Sequence, residues 1–171
     1  MKRLILLRHA KSSWSAEGLA DFERPLSGRG ERDAPLMAAR LRERSIRPTL
    51  VLSSPALRAR RTAELVAAEF DDFDEGIKLD ARLYLATPAE ILAVVVEQVD
   101  ELDCLLVVGH NPGLTELSNL LLPGLDLENL PTAGVVVSDF AAERWAEIRS
   151  AGRRLFYYDY PKNAGGTATT D

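Results

Sequence analysis

The chain has 171 residues, 46% of them apolar and 27% charged, which suits one soluble globular domain with a single core and is too short for two ordinary ones. A formal net charge of −5 argues against general nucleic-acid binding, because gripping a phosphate backbone needs a basic face. Ordinary glycine and proline contents and short apolar runs exclude collagen-like, disordered and membrane-spanning classes.

The opening Met1-Lys-Arg-Leu-Ile-Leu-Leu-Arg imitates a signal peptide, but its apolar run stops at Arg8, too soon for one. The single cysteine, Cys104, permits no internal disulfide, and its neighbours Leu105 to Val108 suggest a buried thiol in a reducing compartment. Both features point to the cytoplasm.

In chain order, residues 3–8 read as a buried strand. After a polar loop, Ser27 to Ser45 form a helix with Ala34, Met37, Ala38 and Leu41 on one face. Thr49 to Leu52 make a second strand, and Ser54-Pro55 serves as N-cap and first residue of an alanine-rich helix to about Phe70. The acidic run Asp71 to Glu75 reads as a solvated turn, lacking the spacing and glycine of a calcium loop. A weak strand at Ile77 to Leu79 precedes Thr87-Pro88, which opens a third helix to about Leu102 with Ile91, Leu92, Val95 and Val99 on one face. Cys104 to Val108 is continuously apolar, as a central strand covered on both faces must be. Asn111-Pro112-Gly113 opens a fourth helix to Leu122, and Gly134 to Phe140 and Arg144 to Arg149 pair as antiparallel strands. The alternation predicts an α/β fold: a three-layer α/β/α sandwich, mostly parallel, with an antiparallel edge near the C-terminus. Residues 1–160 form one domain, and 161–171, rich in Gly, Thr and Ala, a disordered tail.

Two histidines, His9 and His110, each stand just beyond the carboxyl end of a buried strand, where open α/β sheets bind ligands. Arg8 precedes His9, and Arg58 falls in the first turn of the helix after the second strand. Three strand-to-helix junctions therefore offer two imidazoles and two guanidiniums to one crevice, a set suited to a multi-oxygen anion. Taken singly, each of these residues reads as an ordinary surface or strand-end group; their convergence is the argument.

Other chemistries lack parts. Cys104 is followed six residues on by His110, not by the arginine of a cysteine phosphatase loop. Neither a Gly-x-x-x-x-Gly-Lys-Ser/Thr nor a Gly-x-Gly-x-x-Gly stretch occurs, and Gly28-Arg29-Gly30 marks a helix start. No ligand-spaced zinc motif is present, so no metal and no cofactor are expected.

Leu7-Arg8-His9-Ala10-Lys11-Ser12-Ser13-Trp14 resembles the Arg-His-Gly signature of the histidine phosphatase superfamily. Arg24-Pro25-Leu26-Ser27 with Gly30, Ser53-Ser54-Pro55-Ala56-Leu57-Arg58-Ala59 with Thr62, and Val108-Gly109-His110-Asn111-Pro112-Gly113 continue the resemblance in order. With Leu130-Pro131-Thr132-Ala133, the chain is most similar to the short SixA-type phosphohistidine phosphatase branch. The resemblance implies that His9 is the nucleophile that becomes phosphorylated, that Arg8 and Arg58 hold the phosphoryl oxygens, and that His110 is the second pocket histidine. It also makes Arg24, Ser15 and Asn111 candidate substrate contacts, Ser15 standing where mutases carry a phosphate-contacting Asn. Ala10 replaces the usual Gly, and Lys11 stands where mutases carry Glu, which weighs against mutase-like sugar chemistry.

Larger members insert a helical lid carrying a general acid where this chain has only Asp71 to Tyr84. An open pocket without an acid suits phosphohistidine on a protein, because imidazole leaves as a neutral group where an alkoxide needs a proton. The alternatives are a small-molecule phosphomonoesterase drawing an acid from Glu17, Asp21 or Glu23, and a catalytically silent phosphate-binding module. The expected partner is a phosphorylated protein, with no nucleic acid and no membrane; the oligomeric state is not readable.

Overall fold

The computed structural model describes every residue except 16, 72–75, 164–166 and 169–171, with backbone alone at 167–168. Seven strands form one sheet in the order β3-β2-β4-β1-β5-β6-β7. They are β1 (Lys2–Arg8), β2 (Leu50–Ser53), β3 (Ile77–Leu79), β4 (Cys104–Gly109), β5 (Val135–Phe140), β6 (Arg153–Asp159) and β7 (Thr167–Ala168). The pairs β1/β4, β2/β4 and β2/β3 are parallel, while β5 runs antiparallel to β1, followed by β6 and β7.

Side chains alternate across the sheet, so each central strand feeds two cores. Leu4, Leu6, Leu105 and Val107 pack with helices α3 (Pro88–Val96) and α4 (Gly113–Leu121) on one face. Ile5, Leu7, Leu106 and Val108 pack with α1 (Gly28–Glu43) and α2 (Leu57–Ala67) on the other. Helices on both faces make the three-layer α/β/α sandwich with its antiparallel C-terminal edge.

Local chemistry fixes where the helices start. The Ser27 hydroxyl accepts from the Gly30 N–H to open α1, and a Thr87/Glu90 capping box with Pro88 opens α3. Gly30 is required by contact: a Cβ there would lie 2.2 Å from the Lys11 carbonyl oxygen. That carbonyl also accepts from the Ser27 N–H and hydroxyl, so the loop after His9 is clamped to the start of α1. Gly113 is held equally close to the Ala86 carbonyl, docking α4.

Three local expectations are corrected. Residues 144–149 are not a strand: Trp145–Glu147 is a 3-10 turn, with Trp145 and Ile148, three residues apart, both fully buried. The antiparallel partner of β5 is instead Arg153–Asp159. Helix α3 ends at Val96, because the Gln98 amide folds back to donate to the Val94 carbonyl at 2.7 Å, and Val99 is 59% exposed rather than on the apolar face. Helix α2 stops at Ala67 and begins after Ala56, not Ser54, whose hydroxyl oxygen accepts from the Ala56 N–H at 3.2 Å and also meets His110. The acidic run lies outside the described residues apart from Asp71. Within the expected tail, Thr167–Ala168 pairs with β6, and the rest beyond 163 lies outside them.

Candidate active site

Parallel pairing of β1 with β4 sets Arg8 opposite Gly109, so His9 and His110 leave the sheet side by side. Their ring centroids are 5.3 Å apart. On the far side of β4, strand β2 delivers the first turn of α2, and with it Arg58. Strand order β2-β4-β1 thus lines up Arg58, His110 and His9, three residues distant in sequence.

The buried guanidinium of Arg58 points its Nε at His9 Nε2 (3.3 Å) and its Nη2 at His110 Nδ1 (3.4 Å). Arginine has only donors, so both facing ring nitrogens must be acceptors. The remaining ring nitrogens are then the donors: His9 Nδ1–H to the Ala10 carbonyl at 2.8 Å, and His110 Nε2–H to the Ser54 hydroxyl oxygen at 2.7 Å. Both imidazoles are neutral with fixed tautomers. Burial drives the His9 pKa down to about 3, helped by the positive surroundings, and burial followed by Arg58 drives that of His110 down to about 4. His9 therefore presents an unprotonated Nε2 on a ring oriented by its main chain, as a nucleophilic imidazole requires.

Arg8 leaves β1 beside this pair. Its Nη1 donates to the Leu130 carbonyl at 2.9 Å, and its Nε is buried without a partner. Burial, and then repulsion from Arg58, lower its pKa. The supporting loop turns at Ala133 (φ 57), whose N–H donates to the Arg8 and His9 carbonyls, so a left-handed residue sits directly behind the site.

Arg24 joins through Asp21. One Asp21 carboxylate oxygen accepts from Arg24 Nε (3.2 Å); the other accepts from Arg58 Nη2 (3.0 Å) and Tyr84 Oη (2.7 Å). The Tyr84 hydroxyl and then Arg58 hold the Asp21 carboxyl below its ordinary range. The Arg24 guanidinium stacks 3.4 Å from the Trp14 ring centroid and keeps a buried, unpartnered Nη1. Tyr84 packs edge-on against both His110 and Phe22. Among the described residues no group of three or more His, Cys, Asp or Glu is placed to hold a metal ion.

The histidine phosphatase superfamily (branch 1) model matches residues 4–84, which contain Arg8, His9 and Arg58. A solved SixA from Agrobacterium tumefaciens, named as a phosphohistidine phosphatase, is 31% identical with a TM-score of 0.79, covering 94% of this chain and 98% of that one. The chain belongs to the histidine phosphatase superfamily. It falls in the SixA-type branch, and it is a phosphatase. A SixA structure from Nakamurella multipartitia shares the fold, with a TM-score of 0.82 at 24% identity over 95% of this chain and 97% of that one. An uncharacterized protein of Mycobacterium tuberculosis is 33% identical over 165 residues, 91% of this phosphatase and 100% of the relative.

The structure brings His9, His110 and Arg58 into direct contact and sets Arg8 and Arg24 around them. It does not bring Ser15 or Asn111 onto the imidazoles. Ser15 is exposed and bonds to the Ser13 hydroxyl at 2.7 Å. The Asn111 amide donates to Asn129 and to the Leu130 carbonyl, and its oxygen accepts from Thr115, so it braces the loop that carries the Arg8 partner. Of the three loop carboxylates considered as acids, only Asp21 touches the site; Glu17 and Glu23 are exposed. Sequence reasoning missed Ser54 as the partner of His110, and Tyr84. A serine just after a strand reads equally as a cap, and nothing local marks Tyr84.

Proposed function

We propose that this phosphatase hydrolyses phosphohistidine carried on proteins, with His9 as nucleophile and no general acid. The observation that carries the reading is the state of Asp21: the carboxyl nearest the imidazoles is held ionised by Tyr84 and Arg58 and has no proton to give near neutral pH. A leaving alkoxide needs such a proton, whereas a phosphohistidine protonated on its free ring nitrogen leaves as neutral imidazole.

In the first step the His9 Nε2 lone pair attacks phosphorus, an N–P bond forms, and the N–P bond to the substrate ring breaks with its electron pair returning to that ring. The Ala10 carbonyl steadies the positive charge on the phosphorylated His9 ring through Nδ1–H. In the second step water attacks phosphorus, a P–O bond forms as the Nε2–P bond breaks, phosphate departs with the protons of water, and Nε2 recovers its lone pair. Arg8 and Arg58 stabilise charge spread over the equatorial oxygens, His110 joins them once the anion's charge brings a proton to its Nδ1, and the unpartnered Arg8 Nε and Arg24 Nη1 supply spare donors. The 3.3 Å between His9 Nε2 and Arg58 Nε has no room for a phosphorus atom, so these groups part as the phosphoryl group enters.

A protein-borne substrate fits the mouth. Trp14 (74% exposed), Phe22 (41%) and Leu85 (55%) stand in the two segments that border the site. Leu85 does so at φ 48, where a non-glycine residue is strained by about 1–2 kcal/mol. Exposed apolar rings and a strained exposed leucine suit contact with a protein surface better than enclosure of a small sugar phosphate.

The test is turnover of phosphohistidine peptide, phosphoserine peptide and sugar phosphate side by side, with His9→Ala as control. The expected ranking puts phosphohistidine first, with an acid-labile, alkali-stable label trapped on the wild type and absent from His9→Ala. Equal or reversed specificity constants would overturn the reading in favour of a small-molecule phosphomonoesterase, and absence of any label in favour of a binding module.

A further inference from the structure

Arg58 meets its surroundings along two edges of one plane. At its tip, Nη1 donates to the Asp21 main-chain oxygen at 2.6 Å and Nη2 to the Asp21 carboxylate at 3.0 Å, so a single residue grips the tip with backbone and side chain together. Along its side, Nε and Nη2 face the unprotonated nitrogens of His9 and His110. The Tyr84 hydroxyl, bonded to the same Asp21 carboxylate oxygen, also interacts with Arg58. A guanidinium is rigid and planar, so holding the tip fork fixes the direction of the side fork, and that fork is the one able to take two phosphoryl oxygens.

We propose that Asp21 is a positioning residue, which aims the side fork of Arg58 at the phosphoryl group on His9. The inference rests on the phosphatase reading above and assigns Asp21 no proton transfer. Asp21 is itself braced by the Tyr84 hydroxyl and Arg24 Nε, and Tyr84 leans edge-on against His110, closing a ring of contacts around the site. Asp21 lies in a 3-10 turn, Asp21–Glu23, with no buried residue. Nothing in the core anchors that turn, so it can follow Arg58 when the phosphoryl group parts Arg58 from His9, keeping the grip through the reaction.

Three roles for this carboxylate give different kinetics. A positioning group is needed only in the presence of Arg58, and its loss falls on kcat. A general acid matters in proportion to the basicity of the leaving group. A resting place-holder competes with phosphate, so its removal improves kcat/KM.

The experiment is a double-mutant cycle of Asp21→Asn with Arg58→Ala, assayed on a phosphohistidine peptide, an aryl phosphate and an alkyl phosphate, with thermal melts to confirm folding. Asp21→Asn is expected to lower kcat about tenfold on the peptide and the aryl phosphate alike, with KM within about twofold, and to add nothing in the Arg58→Ala background. Tyr84→Phe, which removes the hydroxyl that bonds to Asp21, is expected to lower kcat two- to threefold. Full additivity with Arg58→Ala, a loss confined to the alkyl phosphate, a gain in kcat/KM, or no change would each overturn the proposal. Wild-type turnover of the aryl phosphate but not the peptide would defeat the phosphohistidine reading and leave the Asp21 result readable.

Discussion

Strand β1 carries an arginine near each end, and the two live in opposite circumstances. At the start, Arg3 donates from Nε and Nη2 to the buried carboxylate of Asp139 at 2.7 and 3.0 Å, Arg154 adds a third contact, and the hydrogen bond to Asp139 raises the Arg3 pKa. Neighbouring Lys2 is likewise surrounded by the Asp100 and Leu102 carbonyls and the Asp103 carboxylate. At the finish, among the described residues, Arg8 has no carboxylate, one carbonyl partner and a buried Nε with none, and its pKa falls. A protein that needed Arg8 only for stability would pair it as it pairs Arg3. In the proposed mechanism the end of the strand with a spare donor is the end that meets the phosphoryl group, which would divide stability from function along seven residues of one strand.

The largest expected effect breaks the comparison at the functional end. His9→Ala should abolish phosphoenzyme and turnover on every substrate while leaving the fold intact, as measured by label trapping and a thermal melt. Turnover persisting in that variant would remove the centre of the site from the chemistry.

The two arginines should then fail in opposite ways. Arg8→Ala is expected to lower kcat/KM by about 10²–10³, the scale of losing one preorganised donor, with the melting temperature unchanged or raised. Arg3→Ala is expected to leave the kinetics within about twofold and to cost about 3 kcal/mol of stability in denaturant unfolding, because Asp139 stays buried with only the exposed Arg154. Equal losses of activity from the two variants would erase the distinction.

A smaller effect comes from pH. Both imidazoles ordinarily titrate near 6.5, and the fold holds them neutral down to about 3 and about 4. Below pH 6.5 the unfolded chain binds protons that the native state refuses, so stability present at neutral pH is lost as pH falls toward those values. The limiting slope is about 1.4 kcal/mol per pH unit for each histidine. An oxyanion such as tungstate at the site should favour the charged rings and flatten the slope, and His110→Asn should reduce it. A stability curve indifferent to both histidines across this window would show that the rings are not buried as neutral groups.

The Arg8 end of β1 is legible in the sequence for local reasons, whereas the Arg3 pairing with Asp139, 136 residues away, is not. Strand ends were marked by continuous apolar runs stopping at Arg8 and Gly109, and topology alone carries whatever follows such strands to the ligand-binding edge. Caps such as Thr87 with Glu90 and Ser27 with Gly30 involve neighbours three residues apart. What escaped depended on partners far along the chain. Ser54 accepts locally from the Ala56 N–H, but its hydroxyl also meets His110, 56 residues away. Tyr84 acquires meaning only through Asp21, 63 residues earlier. Trp145 and Ile148 were separable from a strand by spacing, since two buried residues three apart share one side of a turn, whereas in a strand they would face opposite sides.

The smallest effects sharpen the boundary of the functional end. Ser15 and Asn111 were both candidate substrate contacts, and their surroundings now differ. Ser15→Ala removes an exposed hydroxyl that, among the described residues, bonds only to Ser13, and kinetics and stability should both stay within error. Asn111→Ala removes an amide that holds Asn129, Leu130 and Thr115 together, at a cost of about 1–2 kcal/mol. Because the Leu130 carbonyl is also the one partner of the Arg8 guanidinium among the described residues, loosening it should blur Arg8 and lower kcat by a few-fold, an effect that vanishes in an Arg8→Ala background. A loss that persists there, together with a raised KM, would mean that Asn111 meets substrate directly, and the functional end would then extend into the start of α4.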